Sequence, residues 1–188
     1  MSPPASPPPH DGLGGARGSL PLDLKVEPLA DHHGLADFSC GVDELDDWLA
    51  THARTATGHG TRTYLLVDEQ GQVVGYFAVA PHTITRGDLS TRSGRGAPRQ
   101  IPAILLAKLA LAEELHGQRL GGELLVMALR TIVGAARRAG GKFVVIDAID
   151  ESAAAFYSHH DFEPMPQDPL RLTRKLSSIA KAIGEPWP

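Results

Sequence analysis

Over residues 22–29, LDLKVEPL, apolar and polar positions alternate well enough to predict a first strand. In VDELDDWLATHA the spacing changes, and Leu45, Trp48, Leu49 and His52 fall on one face of a short helix. The runs TRTYLLVD and VVGYFAVAPHTI, rich in β-branched and aromatic residues, flank EQGQ, so residues 61–84 predict a hairpin. Residues 85–101, TRGDLSTRSGRGAPRQI, hold almost nothing apolar and predict a long loop without regular structure, a feature that in a compact domain serves a function or moves. PAILLAKLALAEEL follows as a nearly unbroken apolar run, the mark of a strand covered on both faces, although periodicity alone leaves a helix open. From Leu120 the period becomes helical again, with Leu124, Ala128, Ile132 and Ala136 on one stripe, and Gly140 and Gly141 end it. KFVVIDAI predicts a buried strand, DESAAAFYSHH a short helix opened by an acidic residue, and DPLRLTRKL a last alternating strand. The order gives a mixed α/β fold, a sheet with helices on its faces.

Composition narrows the class. The chain has 188 residues, 42% of them hydrophobic and 21% charged. That suits one domain burying roughly 70% of its extended-chain surface. Residues 1–20, rich in Pro, Gly and Ser and lacking a signal-peptide apolar run, predict a disordered leader, and residues 21–188 the folded domain. Cys40 is the single cysteine, which excludes an intrachain disulfide and fits a reducing cytoplasm. No stretch reaches the roughly 20 apolar residues of a membrane span, so no membrane partner is expected. Net charge is −4, from 18 Lys and Arg against 22 Asp and Glu, so only a local basic patch would hold a polyanion.

The most informative stretch is HGQRLGGELL, residues 116–125, a polar turn running directly into the long helix. Gly117, Gly121 and Gly122 allow close approach to the backbone, and the helix start adds unpaired N–H groups and partial positive charge, which together favour an anion, phosphate above all. An ordinary tight connection would use the same glycines. Basic residues cluster in two further places. Arg86, Arg92, Arg95 and Arg99 share the predicted loop with one acid, Asp88, and Arg171, Arg174 and Lys175 lie on the last strand. Both groups are candidates for nucleic-acid phosphates, with solvated surface charge as the alternative. The nine histidines include the adjacent pairs His32-His33 and His159-His160, with no carboxylate or cysteine at ligand spacing in the sequence, and no metal is expected.

LALAEELHGQRLGGELL resembles the acyl-coenzyme A signature of the GNAT N-acetyltransferases, and AFYSHHDF resembles their later FYxxxGF helix. HHGLADFSCGVDELDDWLATHA, VVGYFAVAP and IPAILLAKLALA extend the likeness over about residues 24–180, to the acetyltransferase toxins of bacterial toxin–antitoxin pairs. The resemblance implies a mostly antiparallel sheet with a splayed central strand pair and acetyl-CoA as cosubstrate. The expected acceptor is the α-amino group of an aminoacyl-tRNA, whose acetylation blocks translation. A ribbon-helix-helix antitoxin encoded nearby is the expected partner, and a homodimer the expected assembly.

For the site, the resemblance implies that Leu109, Ala110 and Leu111 face pantetheine and that His116, Gly117, Gln118, Arg119, Leu120, Gly121 and Gly122 cradle the pyrophosphate. Asp150 stands where many members have a pantetheine-facing asparagine, Phe156 lies beside the cofactor, and Tyr157 protonates the departing thiolate, as a phenol of pKa about 10 is able to do. The likeness is imperfect: His116 takes the first position of the Gln/Arg-x-x-Gly-x-Gly/Ala motif, Arg119 its middle glycine, and Asp161 the glycine of FYxxxGF. Glu113 and Glu114, just past the strand, are expected to be solvated. Two other readings stay open: a GNAT enzyme acting on a small amine or a protein N-terminus, and a coenzyme A-binding regulatory module without turnover.

Overall fold

The computed structural model describes residues 24–188; the leader predicted over 1–20 lies outside the described residues. Seven strands form one sheet: β1 (Lys25–Pro28), β2 (Arg62–Val67), β3 (Val73–Thr85), β4 (Gln100–Leu111), β5 (Phe143–Asp147), β6 (Glu163–Met165) and β7 (Asp168–Lys175). Their order is β1-β2-β3-β4-β5-β7-β6. Every pairing is antiparallel except β4 with β5. The helices are α1 (Asp43–Thr51), α2 (Ala53–Gly58), α3 (Thr91–Gly94), α4 (Leu120–Ala139), α5 (Glu151–His159) and α6 (Leu176–Ile183). Among the described residues no helix is long and apolar enough to cross a membrane.

The parallel pair holds the key feature. β4 and β5 are in register only from Ala103 opposite Phe143 to Leu106 opposite Ile146. β4 then runs on to Leu111 with only β3 beside it, and the β3 register jumps from Ala78 opposite Lys108 to Val79 opposite Leu106. Ala107 is thus the extra residue of a bulge, a device that bends a strand away from its neighbour. β5 ends at Asp147, and the chain leaves for α5.

α4 closes one face of the sheet with Leu120, Leu124, Leu125, Ala128, Leu129, Ile132, Val133 and Ala136, all buried, as its four-residue spacing predicts. α6, which the strand pattern did not suggest, lays Leu176, Ile179, Ala180 and Ile183 against the same core. The three-residue β6 and the six-residue α2 were equally hidden, being too short for a periodicity. In α1 the buried line is Leu45, Leu49 and, one turn on, Ala53; His52 is exposed and bonded to Thr51 Oγ1 at 2.7 Å, so it is not a core position.

Residues 85–101 are not structureless. The Thr85 N–H donates to Asp88 Oδ2 at 2.6 Å, capping a short 3-10 turn, and Ser90 Oγ accepts from the Ser93 N–H at 3.3 Å, capping α3. Leu89 and Ala97 are buried in a second small core with Ile84, Ile101, Ala103, Phe143, Val145 and Met165. Local side-chain caps and two apolar anchors suffice to order a segment that composition reads as loop.

α1 is fastened to the sheet by Tyr76. Its ring is fully buried, stacked on Trp48 at 5.9 Å and edge-on to Phe38, and its hydroxyl donates to the Leu45 carbonyl at 2.8 Å. Tyr76→Phe keeps the ring and removes that bond, at a cost of about 1–2 kcal/mol. The expected fall in Tm, read by thermal unfolding, is about 2–4 °C per kcal/mol for a domain of this size.

Candidate active site

Where β4 and β5 part, a cavity of about 460 Å³ opens, lined by Leu105 to Leu109, Asp147 to Ile149, Ala153 and Tyr157, with Glu44 and Leu45 of α1 at its side. Of the three strand residues expected to face pantetheine, Leu109 lines the cavity, while Ala110 and Leu111 are buried beyond it.

The glycine turn lies at the end of β4. Gly117 (φ 76°) and Arg119 (φ 62°) are both left-handed, and among the described residues the N–H groups of Gly117, Gln118 and Arg119 donate to no backbone carbonyl. No side chain caps α4 either, so its first-turn N–H groups add to the same donor array. Two side chains brace the turn rather than extend it: His116 Nε2 donates to the Leu111 carbonyl at 2.8 Å, and Gln118 Nε2 to that of Glu114 at 3.2 Å. A carbonyl only accepts, so His116 carries a proton on Nε2.

The helix glycines divide by role. A Cβ at Gly121 would meet nothing closer than Phe156 at 3.9 Å, which leaves the position open to a ligand. A Cβ at Gly122 would stand 3.3 Å from His160 Nε2, so this glycine makes room for α5. α5 itself starts from Asp150, whose Oδ1 accepts the Ala153 N–H at 2.8 Å; its carboxylate is engaged as a helix cap. Phe156 packs between Gly121, Tyr157 and His160.

Tyr157 is 8% exposed and its hydroxyl makes no hydrogen bond within the described residues, yet it borders the cavity. Burial pushes its pKa up from the usual phenol value. The group therefore stays protonated throughout the physiological range, the form that can donate a hydrogen and not accept one as a base.

The basic residues separate into three kinds. Arg86, Arg92, Arg95 and Arg99 are exposed and form no ion pair among the described residues; Arg86 and Arg95 border one depression. Arg92 meets Lys175 across another, of about 290 Å³, with Arg174 in its wall. Arg174 departs from expectation. Its side chain is 9% exposed, Nη1 donates to the His160 carbonyl at 3.0 Å, and Nη2 pairs with Asp161 at 2.9 Å. Asp161 is left-handed (φ 60°) where the resembling motif has glycine, and the ion pair offsets that strain. Arg174 is thus an internal clamp and not a free phosphate ligand. Arg171 is also committed: Nε lies 3.4 Å from Asp147 Oδ1, and Nη2 2.6 Å from His82 Nε2.

Asp147, His82 and Lys108 were not singled out in the sequence. Lys108 Nζ sits 3.6 Å from Glu44 and 5.8 Å from the Trp48 ring centre, at the cavity side. His82 is held neutral, its pKa lowered by burial and by the Arg171 guanidinium. Only the fold joins these positions, which lie 24 residues or more apart, and no local pattern signals them. Glu113 and Glu114 are exposed, as expected. The structure also brings Glu27 to 3.4 Å from His33 Nε2, with His32 beside it, a grouping the sequence spacing does not show.

No protein-family model matches the chain. A tRNA-acetylating toxin of Mycobacterium tuberculosis is 33% identical over 157 residues, which cover 84% of this chain and 95% of that protein. The chain belongs to the tRNA-acetylating toxins of GNAT fold. Two solved structures agree. AtaT complexed with acetyl-methionyl-tRNAfMet matches with a TM-score of 0.77 at 28% identity, covering 85% of this chain and 98% of AtaT. A tyrosine-to-phenylalanine mutant of AtaT, bound to acetyl-CoA and to the C-terminus of the antitoxin AtaR, matches with a TM-score of 0.72 at 27% identity, over 85% and 97%. The left-handed Arg119 has an energetic signature. Holding a side chain in that region costs roughly 1–2 kcal/mol. Arg119→Gly is therefore expected to raise the Tm of the ligand-free protein by about 2–8 °C, read by calorimetry; an unchanged or lower Tm would show the turn to be unstrained.

Proposed function

We propose that this protein transfers the acetyl group of acetyl-CoA to the α-amino group of an aminoacyl-tRNA, blocking the amine that translation requires. The observation that carries the reading is the opening between β4 and β5, with unpaired turn amides at one end and a buried, unpartnered Tyr157 hydroxyl beside it. The relatives support it: one is a tRNA-acetylating toxin, and AtaT has been solved with acetyl-CoA and with an acetylated methionyl-tRNA.

The residues fit the cosubstrate. The amides of Gly117 to Gly122 suit a pyrophosphate, Arg119 adds a charge-assisted donor, and the open face at Gly121 admits the phosphates. Bound there, acetyl-CoA supplies a thioester carbonyl at the parted strands. Tyr157 then faces the sulfur. A phenol held above pKa 10 is a weaker acid than a thiol of pKa about 8.5, so its proton moves as charge develops on sulfur and not before. The acceptor's phosphates fall to Arg86, Arg92, Arg95, Arg99 and Lys175, a smaller set than the sequence offered, because Arg174 and Arg171 are engaged within the fold. Charged tRNA makes the cytoplasm the working compartment. An antitoxin partner, as AtaT has in AtaR, completes the reading, and we infer that it is a ribbon-helix-helix protein and that the enzyme is a homodimer.

Three outcomes test it. Tyr157→Phe should leave the acetyl-CoA dissociation constant near wild type and lower kcat by about 10²- to 10⁴-fold; a loss under threefold would assign the proton to water. Gly121→Val should abolish the rise in Tm that acetyl-CoA produces, while an undiminished rise would place the pyrophosphate elsewhere. Replacing Arg86, Arg92, Arg95 and Arg99 together by glutamine should raise KM for charged tRNA, flatten its salt dependence and spare kcat. Equal activity of that variant at every salt concentration would favour a small-amine or protein acceptor.

A further inference from the structure

We propose that Asp147 takes the proton from the attacking amine, and that Arg171 and His82 hold it in place to do so; this rests on the acetyltransferase reading above. Asp147 ends β5 at the point where the strands have parted, and it lines the same cavity as Tyr157. Its side chain is 52% exposed, so both an incoming substrate and solvent reach it. Among the described residues its one charged partner is Arg171, at 3.4 Å from Oδ1, and it makes no hydrogen bond, which leaves carboxylate lone pairs for an amine.

Arg171 is itself fixed. A guanidinium only donates, so the 2.6 Å contact requires His82 Nε2 to accept, and neutral His82 carries its proton on Nδ1. Burial and the adjacent guanidinium both favour that neutral form. The other cavity carboxylate, Glu44, stands on α1 and not at the end of β5; it is 77% exposed and lies 3.6 Å from Lys108 Nζ, so nothing fixes it at the parted strands as Arg171 fixes Asp147. Beyond Arg171 a second cleft of about 390 Å³ is lined by His82, Asp88, Gln167 and Asp168. Its carboxylates, Asp88 and Asp168, stand apart from the cavity in which the amine must attack, which leaves that role to Asp147.

In the step, the amine nitrogen bonds to the acetyl carbon and becomes positively charged. Its proton passes to Asp147. The C–S bond breaks with its electron pair on sulfur, which takes the hydrogen of Tyr157. The protonated Asp147 and the phenolate then exchange with water. A carboxylate beside the nitrogen stabilises the charge as it forms and removes the proton that would otherwise favour the reverse reaction.

Asp147→Asn is nearly isosteric and keeps an acceptor for Arg171. The expected result is a Tm shift with acetyl-CoA equal to wild type and a kcat about 10²-fold lower at pH 7. Between pH 7 and 8.5 the variant should recover about tenfold per pH unit as hydroxide takes over the proton transfer, while the wild type stays flatter. Asp147→Glu should regain part of the loss. His82→Gln, which still accepts from Arg171, should outperform His82→Leu in kcat at equal KM for acetyl-CoA. A kcat for Asp147→Asn within threefold of wild type, or a deficit that does not change with pH, would overturn the proposal. If the wild type acetylates no aminoacyl-tRNA, the substrate reading fails; the same comparison on whichever amine it does acetylate then decides Asp147 separately.

Discussion

Two parallel strands that stay paired for four residues and then part impose the remaining arrangement. A buried backbone N–H or C=O left without a partner costs about 1–3 kcal/mol, so the strands can separate only where water or a ligand reaches the groups set free. The bulge at Ala107 turns β4 away, and the cap at Asp150 starts α5 three residues after β5 ends. Seven residues on, about two helical turns, stands Tyr157, at the edge of the opening. α4 begins past the other end, and its unpaired amides follow from being a helix start. One separation therefore provides a cavity, with an array of unpaired amides past one end and a phenol hydroxyl at its edge.

The fold departs from glycine at two left-handed positions, and it handles them differently. Asp161 has a compensating ion pair to Arg174, which also donates to the neighbouring carbonyl of His160. Arg119 has no such partner among the described residues. Strain that is offset elsewhere belongs to the scaffold; strain left standing at the edge of a binding turn is of the kind that function retains. The motif comparison located both positions in the sequence, because each replaces an expected glycine. That Arg174 is spent on Asp161 was not legible, since the two lie 13 residues apart across a turn whose geometry no pattern encodes.

The long elements were legible for physical reasons. α4 declared itself through a four-residue apolar repeat over five turns, and β2 and β3 through composition around a glycine-bearing turn. Most misreadings fell where periodicity has little room to act: α2, α3 and β6 span six, four and three residues, whereas the missed α6 carries a full i, i+3, i+4, i+7 pattern over only two turns directly after a strand. α3 also depends on caps from Ser90 and on two buried apolar residues in a polar stretch. At the candidate site the glycine turn and the cavity-lining Tyr157 belong to local motifs that the sequence displays. The Asp147–Arg171–His82 cluster was not, because β3, β5 and β7 contribute one residue each and only the sheet order brings them together.

The central claim is that the acetyl group ends on the α-nitrogen of an amino acid carried by tRNA. The most direct measurement is to incubate the protein with isotopically labelled acetyl-CoA and charged or uncharged tRNA, cleave the ester with alkali, and identify the labelled product by mass spectrometry. Label recovered as N-acetyl-amino acid, from charged tRNA alone, is the predicted result. Label retained on the uncharged tRNA, found on protein, or left in the thioester would contradict the account.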